Sequence, residues 1–101
     1  MEKRRPSYDL ADIKRTIGTV ETLSIKTKAL RDAATLGFKV EGIVEVINGI
    51  ERWMFYKSMT TFADHRVWQD VYYVPAREMT LYVKFQADIA TDFSVVPFKE
   101  K

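Results

Sequence analysis

The spacing of hydrophobic residues changes near Glu51, and this change most constrains the class of fold. Before it, apolar residues recur every three or four positions, as at Leu10, Ile13 and Ile17. That spacing is typical of an amphipathic helix. After it, apolar and polar residues alternate across residues 80–88, which is typical of a strand with one buried face. Helices followed by strands predict an α+β fold.

Three helices are expected in the first half of the chain. Ser7 is a suitable N-cap for the first helix and Gly18 a suitable stop. Thr27 is expected to cap the second helix, and Gly37 to end it in a left-handed conformation. The inner faces of the second and third helices are expected to contain Leu30, Ala33 and Ala34, and Ile43, Val46, Ile47 and Ile50.

Three strands are expected in the second half, at residues 67–74, 80–88 and 93–98. Pro75 is expected to close the first of them. Short loops between strands favour antiparallel pairing. The pattern therefore predicts N-terminal helices packed on a C-terminal, mainly antiparallel sheet. With 101 residues, we expect a single domain over residues 1–101.

Composition excludes several kinds of site. The chain has no cysteine and one histidine, so it cannot form a disulfide scaffold or a thiolate zinc site. We expect no metal and no cofactor. The 16 basic and 14 acidic residues give a net charge of +2, which alone does not indicate a nucleic-acid binder. We expect a cytoplasmic protein without a membrane partner, because we find no leader and no long apolar run.

The segment at residues 55–72 is the chemically informative one, because it places polar donors between aromatic residues. Cationic and neutral donors suit phosphate oxygens, and aromatic faces can stack on unpaired bases. Both are what recognition of single-stranded RNA requires. The donors are Lys57, Ser58, Thr60, Thr61, His65, Arg66 and Gln69, and the aromatic residues are Tyr56, Phe62, Trp68 and Tyr72.

This segment resembles the signature of the MqsR family, a branch of the RelE-like toxins. The resemblance rests on Phe55-Tyr56-Lys57-Ser58-Met59-Thr60-Thr61, Asp64-His65, Trp68-Gln69-Asp70-Val71-Tyr72 and Phe98-Lys99-Glu100-Lys101. It implies a RelE-like fold and a bacterial toxin of a type II toxin–antitoxin system. It also implies an endoribonuclease that cleaves mRNA at GC-containing triplets such as GCU, and a cognate MqsA-like antitoxin with zinc-binding and helix-turn-helix domains.

The resemblance further implies four catalytic residues, and these are Lys57, Gln69, Tyr82 and Lys99. In such a site the 2′-hydroxyl of RNA attacks the adjacent phosphate, and the lysines stabilise the anionic transition state. His65 is a weaker candidate for the general base, since histidine titrates near neutral pH. The residues expected to contact RNA are Tyr56, Ser58, Met59, Thr60, Arg66 and Lys84.

Other interpretations stay open at this point. In a strand, Gln69 would point to the same face as Val67 and Val71. Alternation alone would therefore bury Gln69 as a structural residue. Phe62 and Trp68 suit a core better than a surface that binds bases. The alternative function is a non-catalytic domain on the same fold that binds RNA or a protein partner, since a fold does not fix its function.

Overall fold

Three helices pack against a five-stranded sheet in the computed structural model, which describes residues 1–87 and 93–101. The helices are α1 (Leu10–Ile17), α2 (Thr27–Thr35) and α3 (Val40–Gly49), followed by a 3₁₀ turn at Arg52–Met54. The strands are β1 (Glu2–Lys3), β2 (Phe55–Thr60), β3 (Trp68–Ala76), β4 (Met79–Ala87) and β5 (Phe93–Glu100). Among the described helices, none is long and apolar enough to cross a membrane. The predicted α+β fold is confirmed.

The sheet has the order β1-β2-β3-β4-β5, and every neighbouring pair is antiparallel. Most of the chain between β1 and β2 consists of the helices, which cover one face of the sheet. We call this the inner face and the opposite side the outer face. Between α1 and α2, Ile25 forms an isolated parallel bridge to Val95.

One apolar core joins the helices to the inner face. On β4, the predicted inward residues Leu81, Val83 and Phe85 are fully buried. Burying a large apolar side chain contributes roughly 1.5–3 kcal/mol, so this layer is the main source of stability. The other core residues are Ile13, Ile17, Ala29, Ala33, Phe38, Ile43, Ile47, Ile50, Tyr72, Val74, Val95 and Phe98.

The starts of two helices differ from the prediction. Asp9, not Ser7, is the N-cap of α1, and its carboxylate accepts a hydrogen bond from the Ala11 backbone N–H. Ser7 is engaged elsewhere, because its backbone N–H donates to Asp70 and its hydroxyl lies 2.7 Å from that of Ser58. For α2, Thr27 is the first helical residue and the preceding lysine is the N-cap, without a capping side-chain hydrogen bond.

The buried face of α2 also differs from the prediction. Ala29 and Ala33 are fully buried, whereas Leu30 and Ala34 are exposed. Small side chains on the inner face allow α2 to approach β5 closely, which a leucine there would prevent. At the end of the helix, Gly37 has a φ of +88°, so the predicted left-handed glycine is confirmed.

Two strands were not predicted. β1 has only two residues, too few for a recognisable pattern. In β2 a register shift between Phe55 and Lys57 interrupts the pairing with β3, so side chains no longer alternate along the strand.

β3 continues through Pro75 to Ala76, because a proline near the strand end does not need to donate a ladder hydrogen bond. Residue 88, predicted to end the next strand, lies outside the described residues.

Candidate active site

The outer face gathers the predicted catalytic residues, because cross-strand partners in an antiparallel sheet point to the same side. Tyr82 of β4 pairs with Tyr73 of β3 on one side and with Lys99 of β5 on the other. Lys84 of β4 pairs with Val71, which in turn pairs with Lys57 of β2. Alternation along β4 thus places Tyr82 and Lys84 opposite the buried core residues of the same strand.

A pocket of about 600 Å³ lies on this face, over β3, β4 and β5, and is bordered by α2 through Lys28 and Asp32. Gln69, Tyr82 and Lys99 line it, so the structure brings together three of the four predicted catalytic residues. Lys84, predicted to contact RNA, lines it as well. The remaining lining residues are Lys28, Asp32, Tyr73, Val96, Pro97, Glu100 and Lys101. Lysines outnumber carboxylates in this lining, which makes the pocket suitable for an anion.

Gln69 and Val71 lie on the outer face of β3, where Val71 is fully buried and Gln69 is half-buried. Asp70, Tyr72 and Val74 are buried on the inner face of the same strand. The Gln69 amide nitrogen donates to the Gln86 side-chain oxygen at 2.9 Å, and its oxygen lies 3.5 Å from the Lys84 ammonium. These contacts fix the amide at the pocket wall, so it is both held by neighbours and available to a ligand.

Two ammonium groups lie close to the Tyr82 ring. The Lys84 nitrogen is 5.4 Å from the ring centroid and the Lys99 nitrogen is 5.6 Å from it. A cation near the face of an aromatic ring is attracted by the ring electrons. These contacts hold both ammonium groups near the Tyr82 ring in the pocket lining, where they are available to an anion.

Lys57 lies on the outer face but outside the pocket lining. Its ammonium donates to the Glu2 carboxylate at 2.7 Å, and the lysine side chain is only 19% exposed. The hydrogen bond to Glu2 raises the pKa of Lys57, and the nearby hydroxyls of Tyr56 and Tyr82 add to the effect, while desolvation opposes it. Lys57 is therefore held as a cation at neutral pH, with its ammonium 5.4 Å from the centroid of the Tyr56 ring.

The hairpin between β2 and β3 contains His65 and Arg66, both exposed. The Arg66 guanidinium donates to the Asp64 carboxylate at 3.0 Å, and this hydrogen bond lowers the pKa of Asp64. The structure does not bring His65 or Arg66 into the pocket. Phe62, expected in the core, is fully exposed in this hairpin, because the chain turns away from the sheet there.

The four β2 residues expected to contact RNA divide between the two faces. Ser58 is fully buried and Thr60 nearly so, and both point inward. The Ser58 hydroxyl contacts that of Ser7, and the Thr60 hydroxyl accepts from the amino group of Met1. Neither hydroxyl is accessible to RNA from the pocket side. Met59 and Tyr56 are the two that lie on the outer face.

Sequence reasoning did not identify Tyr73 or Lys101 as site residues. Tyr73 stacks on Tyr56, with ring centroids 4.6 Å apart, and the Lys101 ammonium lies 4.7 Å from the Tyr73 ring. Desolvation, followed by the neighbouring hydroxyls of Tyr56 and Tyr82, raises the pKa of Tyr73. Alternation along β3 could have placed Tyr73 on the same strand face as Gln69. Its pairing with Tyr82, however, is visible only in the register of β3 against β4.

The residues of this face can bind and polarise a phosphodiester. The Lys84 and Lys99 ammonium groups lie near the Tyr82 ring, and Lys84 also lies near the Gln69 amide. Lys57 adds a third ammonium group on the same face, beside Tyr56. Compact cations stabilise charge that develops on phosphate oxygens, and a phenol can donate a proton. Within residues 1–87 and 93–101, no three histidine, aspartate or glutamate side chains cluster as metal ligands.

Comparison with known proteins identifies the family. A family model described as "Motility quorum-sensing regulator, toxin of MqsA" matches residues 5–100. The mRNA interferase toxin MqsR of Escherichia coli strain K12 is 39% identical over 101 residues, which is 100% of this chain and 100% of that protein. The match spans β2, β3, β4 and β5, which form the pocket and the outer face. The chain therefore belongs to the MqsR toxin family.

Proposed function

We propose that this chain cleaves mRNA at the pocket on the outer face, through attack of a ribose 2′-hydroxyl on the adjacent phosphate. Membership of the family supports mRNA cleavage by a toxin. We propose in addition which residues carry it out and that the 2′-hydroxyl is the attacking group. The observation that supports it is the convergence of Gln69, Tyr82 and Lys99 in one pocket, with Lys57 on the same face of the sheet, two strands away from Tyr82.

In the proposed reaction the 2′-oxygen forms a bond to phosphorus and the bond from phosphorus to the 5′-oxygen breaks. Lys57 and Lys99 stabilise the negative charge on the phosphate oxygens of the transition state. Gln69 orients the 2′-hydroxyl. Tyr82 donates its phenolic proton to the departing 5′-oxygen and regains a proton from water. The products are a 2′,3′-cyclic phosphate and a free 5′-hydroxyl.

The proton of the 2′-hydroxyl passes to water in this proposal. His65 is exposed in the β2–β3 hairpin and does not line the pocket, so its position does not favour the role of base. Lys57 is held as a cation by Glu2, which opposes a role as proton acceptor. Catalysis then depends on alignment of the attacking and leaving oxygens and on charge stabilisation.

The RNA sequence that is cleaved, the protein partner and the cellular location follow the family resemblance. We propose selectivity for GC-containing triplets such as GCU and no requirement for a metal. The partner is proposed to be a cognate MqsA-like antitoxin with zinc-binding and helix-turn-helix domains. The bacterial cytoplasm, where mRNA is present, is the proposed location.

Cleavage of a defined RNA by the purified protein tests the proposal. We expect Lys57→Ala to lower kcat/KM by roughly 30- to 150-fold, corresponding to about 2–3 kcal/mol of transition-state stabilisation. Lys39→Ala, which removes an exposed lysine outside the pocket lining, is the matched control. Cleavage should persist in excess EDTA.

Two outcomes contradict the proposal. If Lys57→Ala folds normally and cleaves as well as the wild type, the assigned site is wrong. If the purified wild-type protein binds RNA but does not cleave it, with or without added divalent metal ions, the chain is a non-catalytic RNA-binding domain instead.

A further inference from the structure

Three tyrosines form a row across the outer face. Tyr73 lies in the middle, with its ring centroid 4.6 Å from that of Tyr56 and 5.8 Å from that of Tyr82. The first pair is stacked at an interplanar angle of 18°, and the second is tilted at 40°. Tyr56 joins the row because the register shift in β2 turns it, like Lys57, toward the outer face.

Cationic groups flank this row along its length. The Arg4 guanidinium lies 5.7 Å from the Tyr56 ring and the Lys101 ammonium 4.7 Å from the Tyr73 ring. Carboxylates are also present, since Glu2 pairs with Lys57 and Glu100 lines the pocket, but cations prevail. Aromatic rings interleaved with cations are the combination that binds single-stranded nucleic acid. The other cations beside the row are Lys57, Lys84 and Lys99.

The row extends beyond the pocket. Tyr73 and Tyr82 line the pocket, whereas Tyr56 does not and is 37% exposed. A strand of RNA whose scissile phosphate lies in the pocket can therefore continue over Tyr56 toward β1. At that end the Arg4 guanidinium lies over the Tyr56 ring. A base that stacks on this ring would displace the guanidinium to the side, where it can bind a phosphate of the same nucleotide.

We propose that Tyr56 and Arg4 form a binding subsite for a nucleotide that flanks the cleaved bond. The base stacks on the Tyr56 ring, and Arg4 binds a phosphate of the same nucleotide. Tyr73 is a positioning residue, because its ring supports that of Tyr56 from the side facing the pocket. This subsite rests on the proposed function, since the RNA path is fixed by a phosphate in the pocket.

Binding of abasic RNAs tests the subsite directly. The probe is a short RNA with one cleavage site, made resistant to cutting by a 2′-deoxyribose at the attacking position. In a series of such RNAs, one base at a time is removed on either side of the cleavage site. For the wild type we expect one flanking position where removal weakens binding about 5- to 150-fold, the range for one stacked base.

The variant Tyr56→Leu should bind the intact RNA as weakly as the wild type binds that abasic RNA. Removal of the same base should not weaken RNA binding by Tyr56→Leu any further. Tyr73→Phe should behave like the wild type because it retains the supporting ring, and Tyr73→Leu should resemble Tyr56→Leu. Trp53→Leu is the matched control, because Trp53 is an exposed aromatic residue outside the pocket lining. We expect no change in RNA binding for it.

The subsite is contradicted if every abasic position weakens binding of Tyr56→Leu and wild type by the same factor. It is also contradicted if Tyr56→Leu binds RNA normally but binds the antitoxin less tightly, since the row is then a protein interface. Failure of the proposed function is distinguishable: the wild type would leave the all-ribose RNA uncut, whatever the abasic series shows.

Discussion

The two faces of β4 differ in what their side chains do. Leu81, Val83 and Phe85 are fully buried against the helices, while Tyr82 and Lys84, between them in sequence, line the pocket. One strand thus supplies both the core and the candidate site. Because successive side chains of a strand point to opposite faces, residues of the core and residues of the candidate site can alternate along the same segment.

The faces are coupled through the N-terminal segment. On the inner face, the buried carboxylate of Asp70 accepts hydrogen bonds from the backbone N–H groups of Ser7 and Tyr8. β1, which precedes these residues, pairs with β2 and presents Glu2 to Lys57 on the outer face. A buried polar contact therefore helps to hold a carboxylate beside a candidate catalytic lysine.

The largest effect on stability is expected from the inner face. Phe85→Ala removes a fully buried ring and should lower the free energy of unfolding by about 3–5 kcal/mol, measured by urea denaturation. The remaining folded molecules should cleave RNA normally, because the outer face keeps its residues. A stable Phe85→Ala protein without activity would contradict the separation of the two faces.

The outer face should show the reverse pattern. Tyr82→Phe should lower kcat about 100-fold or more, the range for loss of a general acid, while the midpoint of thermal unfolding stays near that of the wild type. Single-turnover cleavage and calorimetry measure the two quantities. If cleavage is unchanged, the Tyr82 hydroxyl does not donate the proton.

Asp70→Ala tests the contact that couples the faces. Loss of the carboxylate leaves the backbone N–H groups of Ser7 and Tyr8 without their acceptor, and we expect a loss of about 1–3 kcal/mol in the free energy of unfolding. Asp64→Ala, which removes a more exposed hairpin carboxylate, is the control and should change stability less. Equal losses would show that the N-terminal segment is held by other contacts.

The smallest effect is expected from the ion pair at the edge of the site. Because Glu2 raises the pKa of Lys57, Glu2→Gln should lower that pKa, and Lys57 should lose its proton at a lower pH than in the wild type. NMR titration of ¹³C-labelled lysine measures the midpoint, with the Lys28 resonance as an internal reference. An unchanged Lys57 midpoint would mean that Glu2 does not hold the ammonium in solution.

The sequence predicted correctly those elements whose hydrophobic residues follow a regular spacing. The apolar stripe of α3 and the alternation of β4 indicated both elements because each has one regular buried face. The inner face of α2 was predicted correctly at Ala33 but wrongly at Leu30 and Ala34, since Ala29 is the other residue that packs toward the core. Ser7 was also wrong as a cap, because its partners lie more than fifty residues away.

For the candidate site, the sequence indicated residue types but not their arrangement. Lys57, Gln69, Tyr82 and Lys99 were expected from the family resemblance, and the structure places all four on one face. The Tyr56–Tyr73 stack was not foreseen, because it depends on the register shift in β2 and on pairing between distant strands. Neither has a signature in a single sequence.

Mass spectrometry of the RNA fragments identifies the group that attacks the phosphate. If the outer face promotes attack by the 2′-hydroxyl, the upstream fragment ends in a 2′,3′-cyclic phosphate or its opened phosphate. The downstream fragment then begins with a free 5′-hydroxyl, and a 2′-deoxyribose at the cleavage position abolishes cutting while phosphate contacts preserve binding. A 5′-phosphate on the downstream fragment, or cutting of the deoxyribose substrate, would mean that water is the nucleophile and would contradict the roles assigned to Gln69 and Tyr82.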